Sequence, residues 1–92
     1  MAHYIALIHK DADSSYGVSF PDVPGVITGG DTIDEAMQQA VEVLEFAAQD
    51  WPGEFPRPRN IDELRADPEF RQDAADAVIA AVPFRAKAEA AE

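Results

Sequence analysis

The chain changes its hydrophobic period at Gly30-Asp31-Thr32, and this switch restricts the fold more than any other feature. Before it, apolar residues recur at every second position, the spacing of a strand; after it they recur every three or four, the spacing of a helix. Thr32, with Glu35 three places on, forms a capping box. The hydroxyl accepts the amide of the third helical residue, and the carboxylate accepts the amide of the cap. The helix is expected to run to about Asp50, where Pro52-Gly53 stops it, for about 18 residues or ~27 Å, enough to cover a small sheet. Ile33, Met37, Ala40, Val41, Leu44, Ala47 and Ala48 make its apolar side. Asp34, Glu35, Gln38, Gln39, Glu42 and Glu45 make its wet side.

Residues 4–9 are apolar on both faces, which predicts an interior strand. Asp11 to Ser15 is a turn cluster, and Tyr16, Val18 and Phe20 then alternate with Gly17 and Ser19 as the second arm of a hairpin. Pro21 and Pro24 cannot donate to a ladder, and Pro24-Gly25 suits the central positions of a type II turn, so a third strand is expected over Val26 to Gly29. Residues 51–60 hold Pro52, Pro56 and Pro58 and read as a stiff connection over the surface. Asn60 caps a single helical turn through Arg65, with Asp62 and Glu63 in its first turn. Beyond Pro68 the pattern is double. Phe70, Ala74, Ala77, Val78 and Ala81 recur at helical spacing, yet Val78 to Phe84 reads equally as an edge strand closed by a proline. Residues 86–92 are polar, without an apolar face, and are expected to fray.

Ninety-two residues make one small domain. Such a chain buries only roughly 60 to 65% of its unfolded surface, so a second copy is expected to cover more of it as a homodimer or higher oligomer. The absence of cysteine excludes disulfides, thiolate zinc sites and thiol nucleophiles, and fits a reducing cytoplasm. The net charge is −11, and most of it lies early: residues 1–50 carry one base against nine acids, −8, whereas residues 51–92 carry six against nine, −3. This balance repels nucleic-acid backbones and favours a basic protein partner. The N-terminal apolar run of about six residues is too short for a signal-peptide core or for the ~20 needed to span a bilayer, so no membrane is implicated.

Three sharper site readings are weak. Asp11, Asp13, Ser15 and Asp22 mimic a calcium loop, but Tyr16 stands where the loop needs glycine, and Asp22 where it needs a bidentate Glu. His3 and His9 share one side of a strand at a separation of some 20 Å, too far to share a metal. Ser14, Ser15 and Ser19 lack a nucleophile elbow or oxyanion loop. Neither cofactor nor metal is expected.

The run Phe20-Pro21-Asp22-Val23-Pro24-Gly25, followed by Gly30-Asp31-Thr32-Ile33-Asp34-Glu35-Ala36 opening a helix, resembles the N-terminal domain of the HicB antitoxin family, over about residues 3–84. The resemblance implies a partial ribonuclease H-like α+β fold. In it a three-stranded antiparallel sheet gains a fourth strand, here Ala77 to Phe84, and packs on one long helix and a short one in the order β-β-β-α-α-β, over a domain of residues 1–85. It also implies an antitoxin that masks a small basic, messenger-RNA-cleaving, HicA-like toxin. Longer members add a DNA-binding C-terminal segment for which this sequence carries no basic strand or helix pair, so DNA binding is not carried over. A nuclease reading with Mg²⁺ meets a first strand, residues 3–10, without any Asp or Glu; Asp22, Asp31, Asp34 and Glu35 read as turn and cap residues. A stand-alone interaction module without a toxin is the other alternative. Pro21, Pro24, Gly25, Gly30, Asp31, Thr32 and Glu35 form the scaffold of the motif. Candidate partner contacts are Phe20, Asp22 and Val23 on the turn, with Trp51, Phe55, Arg57 and Arg59, whose aromatic and arginine content is typical of interface anchors. Phe20, Val23, Trp51 and Phe55 are equally candidates for core.

Overall fold

The computed structural model describes residues 2–10, 12 and 15–84, so the expectations for residues 86–92 and for Asp11 and Asp13 lie outside the described residues. The elements are β1 (Ala2–Lys10), β2 (Tyr16–Ser19), β3 (Ile27–Gly30), α1 (Ile33–Gln49), α2 (Ile61–Arg65), α3 (Pro68–Ala74) and β4 (Val78–Phe84). They form an α+β fold around one antiparallel sheet in the order β3-β2-β1-β4.

β1 is central because it is apolar on both faces. Its even-numbered residues Tyr4, Ala6 and Ile8 join Val18, Val82 and the buried α1 residues Ala36, Ala40 and Leu44. Its odd-numbered Leu7 faces the other way, packing with Leu64 of α2 and Phe70 of α3. Leu44, Leu64 and Val82 are wholly buried, each aliphatic side chain contributing about 1.5 to 3 kcal/mol.

The stretch with two readings divides into both structures. Asp67 accepts the Glu69 amide as the cap of α3, and Pro68 takes the first helical position, where its missing donor costs nothing. Pro68 therefore starts a helix as well as bounding the previous one, and the chain has three helices among its described residues, one more than expected. Val78 to Phe84 is strand. It pairs residue for residue with β1, from Ile8↔Val78 to Ala2↔Phe84, and buries Val82, so sheet pairing overrides the helical spacing of its alanines.

Two further differences are local. β3 starts at Ile27 because Val26 closes the type II turn: its amide donates to the Val23 carbonyl at 3.2 Å, with Gly25 at φ +89°. Ile33, expected on the buried stripe, is 42% exposed, since the sheet covers α1 only from Ala36 onward. Gly30 sets that close approach: a Cβ there would lie 2.7 Å from the Ala36 nitrogen.

A candidate partner groove beside the Pro-Asp-x-Pro-Gly turn

Two successive turns shape the segment after β2. The Val23 amide donates to the Phe20 carbonyl, and the Val26 amide to the Val23 carbonyl. This path folds Phe20 and Val23 into the core, at 3% and 0% exposure, the core alternative of their two readings, and Phe20 also lines the groove beside β3. The same path aims Asp22 at the proline-rich segment. Its carboxylate accepts the backbone amide of Arg59 at 2.7 Å and the Arg59 Nε at 2.6 Å, and its side chain is only 7% exposed.

Arg59 reaches on to Asp67, its Nη1 donating at 3.2 Å. The hydrogen bond to Asp22 is the main force raising the guanidinium pKa above its already high value; desolvation opposes it, and Asp67 adds to it. The Asp67 carboxyl is held below the ordinary aspartate range, first by the Glu69 amide and then by Arg59. Asp22, Arg59 and Asp67 thus tie the turn, the proline-rich segment and the start of α3 into one unit. On the far side of β1, burial pushes the Tyr4 phenol up, and the charge of Asp22 adds to it.

Between this unit and β3 lies a groove of about 380 Å³. Leu7 and Phe70 lie among its apolar lining with the exposed Ile27; Asp67, Glu69 and Asp73 of the α3 segment contribute carboxylates. Among the described residues Arg59 is the only base in the lining, and it is engaged by two carboxylates, so the described lining carries a net negative charge. The ring of His9 is fixed beside it, its Nε2 lying 3.0 Å from the Asp73 carbonyl. An apolar floor with an acidic rim suits lysine or arginine, whose aliphatic stems bury while their heads stay charged.

The structure therefore joins Asp22 and Arg59 directly, whereas Trp51 and Phe55 belong to an aromatic cluster. Those two rings pack with Tyr4 and Phe84 on the α1 face of the sheet, with centroids 5.3 to 5.7 Å apart, and the Tyr4 hydroxyl donates to the Pro56 carbonyl. Both are half-buried against the core, and Arg57 is exposed. At the helix start, Thr32 accepts the Glu35 amide as expected, but the Glu35 carboxylate accepts the Asp31 amide, one residue before the cap. Among the described residues no group of three or more histidines and carboxylates could hold a metal. Sequence reasoning missed Leu7, Ile27, Glu69, Phe70 and Asp73 as groove residues. The Asp67-Pro68 helix start, which aligns Glu69, Phe70 and Asp73 within two turns, was the available signal.

Residues 4–90 match the family of HicB-like antitoxins of bacterial toxin–antitoxin systems. The chain belongs to that family. An uncharacterised 14.9 kDa protein of Haemophilus phage HP1 is 36% identical over 65 residues, 67% of this chain but 49% of its own length. The crystal structure of the Burkholderia pseudomallei antitoxin HicB superposes with a TM-score of 0.65 at 34% identity, over 90% of this chain and 63% of that one. A toxin–antitoxin complex from Streptococcus pneumoniae contains a chain similar at a TM-score of 0.70 and 27% identity, over 91% of this chain and 69% of its own. The HicB-like chain here thus spans about half the length of its phage relative and under two thirds of the Burkholderia antitoxin.

Proposed function

We propose that this HicB-like chain is a non-enzymatic antitoxin domain, residues 1–85, which works in the cytoplasm as a homo-oligomer and neutralises a small basic, HicA-like toxin by covering its RNA-binding surface. The family match over residues 4–90 carries the reading. A similar chain in the pneumococcal toxin–antitoxin complex supports it. The −11 charge supports it independently: an acidic body steers a basic partner and competes with RNA for the same cations.

The groove rimmed by Glu69 and Asp73 is the contact surface that the geometry favours, and Arg57 is the exposed candidate next to it in sequence. Asp22 and Arg59 act behind it as positioning residues. The nuclease alternative finds its acids occupied: Asp22 holds Arg59, and Glu35 holds the Asp31 amide. No helix among the described residues is long and apolar enough to cross a membrane.

The test is coexpression with the product of the adjacent gene, scoring copurification and growth together. A complex that restores growth and weakens as salt rises is expected. Glu69→Lys with Asp73→Lys should weaken it by about 10- to 100-fold, since juxtaposed like charges oppose binding by about 1 to 3 kcal/mol. Binding without salt dependence, or unaffected by the double reversal, would remove the groove from the interface; absence of any complex would leave a stand-alone interaction module.

A further inference from the structure

The two edges of the sheet differ in how they are protected. β3 is four residues long and ends at Gly30, where the backbone runs directly against α1. β4 is seven residues long, is paired along its whole length with β1, and has no strand on its other side among the described residues. Sheets ordinarily blunt such an edge with a charge, an early proline, a bulge or a short strand. Val78-Ile79-Ala80-Ala81-Val82 carries no charge, and Pro83 comes only at its end.

The exposed side chains lie on both faces of this edge. Val78 stands opposite Ile8 on the α1 face and is 53% exposed; Ile79 stands opposite Leu7 on the α2–α3 face and is 39% exposed. A strand added beside β4 would satisfy the free backbone groups and cover both residues at once.

We propose that this edge is occupied by β4 of a second copy, joined antiparallel so that two four-stranded sheets become one of eight strands. The strand is complementary to itself. Centred on Ala80, antiparallel pairing sets Val78 against Val82 of the second copy, Ile79 against its Ala81 and Ala80 against its own counterpart, apolar beside apolar at every step. Charge also selects this occupant. Two chains of −11 must meet where neither presents an acid, and residues 77–84 are such a stretch; a basic partner finds there no carboxylate to pair with, whereas the groove beside α3 offers several. The inference gives an interface to the homo-oligomer in the preceding reading but needs no toxin, so it is tested on the chain alone.

Sedimentation velocity of the isolated full chain over a hundredfold concentration range provides the test. Wild type is expected to dimerise reversibly. Ile79→Lys and Ala81→Lys, both at exposed positions, should each raise the dimer dissociation constant by about tenfold or more, because each places a lysine inside the joined sheet. Ile27→Lys on the opposite edge should leave dimerisation unchanged. Trp51 emission reports that each variant is folded, and if one lysine variant fails to fold, the other decides. A wild-type monomer throughout, a dimer indifferent to both β4 lysines, or a dimer lost through Ile27→Lys would each overturn the proposal.

Discussion

Removing Asp22 should cost more than removing the arginine it binds. Asp22 accepts two hydrogen bonds, one from the Arg59 backbone amide and one from the Arg59 Nε. A charge-assisted bond from a part-buried amide is worth about 1.5 to 3 kcal/mol. The side-chain pair contributes less, about 0.5 to 1 kcal/mol, because Arg59 is 37% exposed and its charge is screened. Asp22→Ala loses both, an expected destabilisation of about 2 to 4 kcal/mol. Arg59→Ala keeps the amide at 59 and loses the side-chain pairs to Asp22 and Asp67; about 1 to 2 kcal/mol is expected. The assay is urea unfolding followed by Trp51, the sole tryptophan, half-buried in the Tyr4–Phe55–Phe84 cluster. Both variants should shift the midpoint at unchanged slope. For a domain with about 5 to 14 kcal/mol of stability in total, the difference is readily measured. Equal losses in the two variants, or a loss below about 1 kcal/mol for Asp22→Ala, would refute the view that the main-chain amide is the principal partner of Asp22.

Gly30→Ala should destabilise the chain by about 1 to 3 kcal/mol in the same assay, because its Cβ would press on the Ala36 amide that closes the first turn of α1. Asp67 gives a pH signature. Its folded pKa lies below the ordinary value of 3.8, so its contribution is present above about pH 4 and is lost as pH falls through the folded value. Wild type should therefore exceed Asp67→Asn in melting temperature at neutral pH and converge with it in acid; a gap that persists unchanged below pH 3.8 would contradict the assignment.

The period-2 to period-3.6 switch, the caps at Thr32 and Asn60 and the turn at Pro24-Gly25 were legible because each depends on residues within five positions of one another. The same locality made the Pro-Asp-x-Pro-Gly and Gly-Asp-Thr motifs sufficient to place the chain in its family. β1 was legible as an interior strand because an apolar run on both faces has only one stable environment. What required the tertiary structure was everything settled by distant partners. Val78 to Phe84 is strand because β1, some 75 residues earlier, offers a full ladder, and no local pattern contains that information. Phe20 and Val23 are core because their turn folds back, while Asp22, between them, finds Arg59 at a separation of 37 residues. The groove unites Leu7, Ile27, and Phe70 with the carboxylates of the α3 segment from three parts of the chain, so its acidic rim exists only once the sheet and α3 are docked. Local hydrogen bonds and hydrophobic period wrote the elements into the sequence; which side chains each element buries, and which it leaves for a partner, was decided by long-range packing.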